Sequence, residues 1–261
     1  MSSSNASRPP VMLWPKEHGA YAEVIFPLLT GLALGRPTLV SALLVVASLG
    51  AFLLHEPLLV MLGARGRRIG EAHGRVAGRQ FRIVGAVAAL AGVAGVALAT
   101  NATRWALLPP AALAHLVVPI VLLRREKTAV GETLIAATFS AMAVPVAIAS
   151  GAAWPAGTMA AVLWFSVFLL GTLMVRLTLE RARRERGPMR IVTPIASGIL
   201  LCGATVGAVE VGYAPLAVVP IALASLWTWL RPVPAKRIRI VGWSLVGASV
   251  FAFITIVATL G

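Results

Sequence analysis

The chain contains no aspartate: its nine acidic residues are all glutamate, at positions 17, 23, 56, 71, 126, 132, 180, 185 and 210. All carboxylate chemistry therefore falls to glutamate. Charge of either sign is scarce. Asp, Glu, Lys and Arg make up 12% of the chain, against about 25% in soluble domains. Cysteine occurs once, as Cys202 inside an apolar run, which excludes an intramolecular disulfide and any zinc site of Cys/His spacing. A Walker loop, a dinucleotide-binding glycine fingerprint and a nucleophile elbow are also missing. Residues 1–13 are rich in Ser and Pro without an apolar core, so they read as a disordered cytoplasmic tail and not as a cleavable signal.

What the chain has is hydrophobicity. Apolar residues make up 59% of 261, and the mean hydropathy is +0.89. About 20 apolar residues span a bilayer as a helix. Nine runs qualify, near residues 20–35, 39–63, 83–99, 106–123, 130–152, 156–179, 191–209, 213–230 and 240–260. The expected fold is all-α: a polytopic membrane bundle forming one transmembrane domain over residues 14–261. The net charge of +14 would point to nucleic acid in a soluble protein. Here the basic residues fall in alternate connections, and only Arg36 and Arg104 lie in the others. That parity sets topology. It excludes nucleic acid as a partner and predicts a bacterial inner-membrane protein with a cytoplasmic N-terminus and Gly261 outside. Trp14, Trp105, Trp154, Trp227, Trp229 and Trp243 mark span ends, where indole favours the headgroup region. Trp164 is mid-span and reads as packing. In the third span, Gly85, Ala89, Gly92, Gly95 and Ala99 form a small-residue face for close helix approach.

Ionisable groups within the spans carry the functional signal, because each costs about 2.5–3.5 kcal/mol to bury in lipid. His55 and Glu56 lie within the second span, and Pro57 follows, freeing a carbonyl and kinking the helix so that a cavity can open. Before the first span stands Trp14-Pro15-Lys16-Glu17-His18-Gly19-Ala20-Tyr21, which gathers a base, an acid, an imidazole and two aromatics. Glu17, His18, His55 and Glu56 are the candidate catalytic or metal-binding groups, and two His with two Glu suit a divalent metal by ligand type. Lys16, Tyr21, Arg67, Arg68, Glu132, Arg176, Glu180, Arg183 and Arg184 are candidate substrate-binding residues. The arginines suit bidentate phosphate contact or anionic lipid. Glu23 and Glu132 sit where a loop arginine can pair with them. Arg176 and Glu180 stand four apart, the spacing of a helical ion pair. His115 is alone in mid-span and reads as a hydrogen-bonded packing histidine.

The stretch from Trp14 to Tyr21 resembles the YwiC-like family of bacterial membrane proteins, which opens with a W-P-K-E-H-G-A motif. Arg184-Glu185-Arg186-Gly187 is similar to a second family patch, and the resemblance runs over nearly the whole chain. More distantly, the chain resembles the UbiA superfamily of intramembrane prenyltransferases, which has nine helices, a cytoplasmic N-terminus and two acidic motifs at the second-to-third and sixth-to-seventh loops. That resemblance implies a UbiA-like arrangement, a lipid or isoprenoid-type substrate and a divalent cation such as magnesium. His55-Glu56 stands where the first motif would begin, and Glu180 and Glu185 stand near the second. The pattern departs in having no Asp, in Leu59 three residues after Glu56, and in the arginines that dominate the second motif's loop.

The leading expectation is a cytoplasm-facing intramembrane pocket for a lipid or isoprenoid-type substrate. As an enzyme the protein would be a membrane transferase, a UbiA-like prenyltransferase relative without the Asp-rich motifs. Two alternatives come from other classes. A small-molecule or ion transporter would use Glu23, Glu56, Glu132 and His115 as a path, and a non-catalytic membrane assembly factor would use the same residues to bind a partner. Membrane lipids are the expected partners, and no protein partner is indicated.

Overall fold

The computed structural model describes residues 13–14, 18–185, 187–234 and 238–261. These residues form helices and turns, with no strand among them. Seven helices are long and apolar enough to cross a membrane: α2 (Leu39–Met61), α3 (Arg67–Leu98), α4 (Asn101–Leu122), α5 (Ala129–Ala149), α6 (Trp154–Ala182), α7 (Met189–Glu210) and α9 (Arg239–Leu260). Two shorter apolar helices, α1 (Gly19–Ala33) and α8 (Ala214–Leu230), complete the set. Each of the nine expected runs is thus a helix, and the chain is a multi-pass membrane-type helical protein.

Proline and threonine explain much of the local form. Pro57, Pro110 and Pro145 have no amide to offer the carbonyl four residues back. In each case the helix is interrupted just after that carbonyl, at Leu54, Leu107 and Met142. Helix starts are set by hydroxyls: Thr38 accepts from Ser41 N in a reciprocal capping box, Thr100 from Thr103 N, and Thr128 from Gly131 N. One boundary differs from expectation. α3 begins at Arg67, not near residue 83, so the basic connection between the second and third spans is mostly helix. At about 1.5 Å per residue, the 32 residues of α3 measure about 48 Å, well beyond the roughly 30 Å hydrocarbon layer.

The centre of the bundle is α6, which packs against α1, α5, α7, α8 and α9. Trp164 is fully buried there, stacked between Phe26 and Phe168 with centroids 5.3 Å from each. Its indole N–H donates to Thr30 Oγ1 at 2.9 Å, so it is a packing residue as expected. Trp105, Trp227 and Trp243 are exposed, while Trp229 is half-buried and donates to Arg190 O at 2.9 Å. A second core of Val24, Leu28, Leu44, Phe52 and Val146 joins α1, α2 and α5. α3 lies along α2, with only 11% of its most apolar stretch buried. The small-residue face exists with one substitution: Ala88 is buried against α2, and Ala89 points outward. A Cβ at Gly50 would come within 2.6 Å of Ala88, so this pair of helices meets backbone to backbone.

Adjacent helices run up and down. Arg36 N donates to Ser150 O and Thr38 Oγ1 to Ala149 O, which gathers one set of connections. Arg124 donates to Leu62 O, and Arg176 to Lys127 O, which gathers the other. That second set carries nearly all the Lys and Arg and is called the basic end below.

Candidate functional site

At the basic end Glu56 lies on the short second half of α2, just after the break at Leu54, and is only 8% exposed. Arg65, in the turn before α3, grips it with both edges of its guanidinium: Nε donates to Oε1 at 2.8 Å and Nη2 to Oε2. A bidentate pair of this kind is the strong form of the carboxylate–guanidinium contact. Tyr21 packs edge-on against Phe52, and Phe52 edge-on against Phe139, with centroids 5.1 and 5.9 Å apart. These rings bind α1, α2 and α5 together one turn from Glu56. Gln80 of α3 holds the chain just before the opening motif, accepting from Leu13 N and donating to Leu13 O, each at 3.0 Å. Gln80 was not singled out in the sequence. Arg65 reads with Arg67 and Arg68 as a run for phosphate or anionic lipid, and nothing in that run marks it as the partner of Glu56.

A second ion pair stands where α5 and α6 meet. Arg176 Nε donates to Glu132 Oε2 at 2.8 Å, and its Nη2 donates to Lys127 O at 2.7 Å. The helical pair expected between Arg176 and Glu180 is therefore not made. Spacing along one helix favours Glu180, but the packing of α5 on α6 brings Glu132 within reach. Glu132 pairs with an arginine, as expected, although that arginine is on a helix and not in a loop. Glu180, in the last turn of α6, instead reaches the start of α7, where Oε1 accepts from Met189 N at 3.5 Å and its carboxylate occupies the space that a side chain at Gly187 would need.

The other candidates scatter. Arg67 makes an exposed i,i+4 pair with Glu71 at 2.7 Å, a contact that contributes little in water. Arg68, Arg183 and Arg184 are exposed, and Arg184 takes a positive φ of 59° just beyond α6. His115 is exposed on α4, and its Nδ1 lies 2.7 Å from Ala111 O of its own helix. It is hydrogen-bonded, as expected, but it does not pack inside the bundle. Lys16, Glu17 and the His18 side chain lie outside the described residues. The structure thus places these candidates at the basic end as two separate pairs, Glu56 with Arg65 and Glu132 with Arg176, while Tyr21 packs on Phe52.

Arginine has a further role here that sequence reading missed. Arg181 of α6 donates to Thr228 O and Trp229 O, at 2.6 and 2.7 Å, at the end of α8. Arg124 does the same for Leu62 O at the end of α2, and Arg104 for Val96 O and Ala97 O at the end of α3. The last carbonyls of a helix have no intrahelical donor, and the guanidinium fork supplies one from a neighbouring segment.

Two shallow, open surface grooves occur among the described residues, and Glu56 lines neither. One, of about 400 Å³, is lined by Asn101, Arg104, Trp105 and Leu108 at the opposite end. The other, of about 360 Å³, lies between α8 and α9. Among the described residues no three of His, Cys, Asp or Glu converge as metal ligands, so His55 and Glu56 do not by themselves fit the divalent cation that the UbiA resemblance implies.

A family model described as YwiC-like protein matches residues 14–147, about half of the chain. The match contains the opening motif, His55, Glu56 and Glu132, and ends before α6. The patch at Arg184 to Gly187 lies beyond it. No curated protein and no solved structure matches the chain.

Proposed function

The chain belongs to the YwiC-like family, and from that footing we propose that its basic end holds a lipid or isoprenoid-type substrate by an anionic head group. The observation that carries this reading is the Glu56–Arg65 pair: a buried carboxylate fixing a guanidinium at the end of a broken helix, next to His55. A phosphate or diphosphate is the natural competitor for that guanidinium, since it accepts the same bidentate donation. On its arrival Glu56 is released as a base next to the His55 imidazole. The second pair, Glu132–Arg176, offers the same exchange on α5 and α6. The orientation that goes with this reading puts the basic end in the cytoplasm.

In its narrower form the proposal is a UbiA-like prenyltransferase relative lacking the Asp-rich motifs. Seven long and two shorter apolar helices among the described residues support it, as do the positions of Glu56 and Glu180 next to the second-to-third and sixth-to-seventh connections. Catalysis would then rest on glutamate, histidine and arginine. The arrangement favours a site open to one side over a transport path. Glu56, Glu132 and Glu180 all lie at the basic end, while His115 faces out of the bundle.

The test is mass spectrometry of lipids that co-purify with the wild-type protein, Glu56→Gln and Arg65→Gln, each first shown to be monodisperse. The expected result is a phosphorylated lipid or isoprenoid compound enriched with wild type and depleted in both variants. Identical lipid profiles in all three would overturn the assignment.

A further inference from the structure

The open groove between α8 and α9 is not lined by Glu56, and its lining is mostly apolar. Leu223 and Trp227 form one wall, Ile240, Val241 and Ser244 the other, and Val233 closes the end. At about 360 Å³ it reaches the range of small-ligand sites, roughly 300–1,000 Å³. Leu223, Trp227 and Ile240 are each more than half exposed, so the groove opens on the outer surface of the bundle, where the bilayer lies. It runs from the basic end inward by one to two turns of α8.

The mouth of the groove is cationic. The Arg231 guanidinium carbon sits 4.9 Å from the centroid of the Trp227 ring, a cation–π distance. Among the described residues Arg231 and Arg239 make no ion pair, and residues 211–261 contain no acidic residue at all. Arg231 and Arg239 therefore have no counter-charge within residues 211–261. The wall is also rigid from behind. Arg181 holds the last carbonyls of α8, and Trp229 is tied to Arg190 O on α7.

We infer that this groove is a binding site for one anionic phospholipid of the surrounding bilayer. An acyl chain lies between Trp227 and Ile240, and the phosphate sits on Arg231. The indole holds the guanidinium at headgroup depth, and the negative head group supplies the missing counter-charge.

Native mass spectrometry of the full-length protein in detergent tests this with two probes, phosphatidylglycerol and phosphatidylcholine carrying identical acyl chains. Wild type is expected to bind one phosphatidylglycerol at least about fivefold more tightly than phosphatidylcholine, which at about 1.4 kcal/mol per decade is about 1 kcal/mol for one surface charge. Arg231→Gln should abolish that preference. Ser244→Leu, which fills the groove, should weaken both lipids, and Arg75→Gln on the exposed side of α3 should change neither. Retention of the preference in Arg231→Gln, or of full binding in Ser244→Leu, would overturn the site. A dimer that dissociates in Ser244→Leu would also overturn it, by showing that a second copy of the chain occupies the groove.

Discussion

At the scale of single residues, the protein uses arginine where a soluble protein would use water. Helix ends carry unpaired carbonyls, and a membrane leaves few solvent molecules to satisfy them. Arg104, Arg124, Arg176 and Arg181 each reach a carbonyl on another segment. The arginine-rich connections are thus part of the packing as well as of the topology. This was not legible in the sequence, because the partner of each guanidinium is a backbone atom with no residue signature. Glycine gives the sharpest prediction at this scale. A Cβ at Gly35 would run into Ser150 O, the same carbonyl that accepts from Arg36 N at 2.8 Å. Gly35→Ala should cost about 1–3 kcal/mol, the range for overpacking a tight contact. Gly242→Ala, with nothing within 4 Å, should cost nothing. Thermal unfolding of both variants in the same detergent measures the difference.

Among the elements, proline forecasts only some of the interruptions. Pro57 and Pro110 break their spans as expected and Pro145 does the same, whereas Pro27, Pro119 and Pro194 lie inside unbroken helices. At the kink beside Glu56, Arg65 folds back from the next turn onto the carboxylate. The extent of α3 was missed because hydropathy sees only its apolar half, while residues 67–82 are helical with a polar exterior. Caps offer the test at this scale. Thr38 accepts from Ser41 N and donates to Ala149 O at 2.8 Å, so it both starts α2 and ties it to α5. Thr38→Ala should lose about 1–2 kcal/mol, the upper range for a cap substitution. Thr38→Ser should retain most of that stability, as read by denaturant unfolding in mixed micelles.

For the whole molecule, nine helices and the separation of charge were legible, because both follow from the composition of long runs. The order of packing was not. Sequence spacing paired Arg176 with Glu180, whereas three-dimensional proximity pairs it with Glu132. No local pattern announces that α6 is central, since its neighbours come from both halves of the chain. The nine-crossing topology expected from the sequence gives a direct prediction. A reporter fused after Gly261 should be active only outside the cytoplasm, and one fused before Trp14 only inside. The same side for both would break the nine-crossing topology.

The position of α6 also sets a timetable for synthesis. Trp164 and its helix take partners from α1 and α5, already made, and from α7, α8 and α9, still to come. A nascent chain that stops after α6 therefore shows the membrane a half-finished seam, with the Arg181 fork waiting for carbonyls that do not yet exist. Translation has to pass Trp229 before that fork can close. Until then the unfinished protein exposes apolar surface that the finished bundle buries.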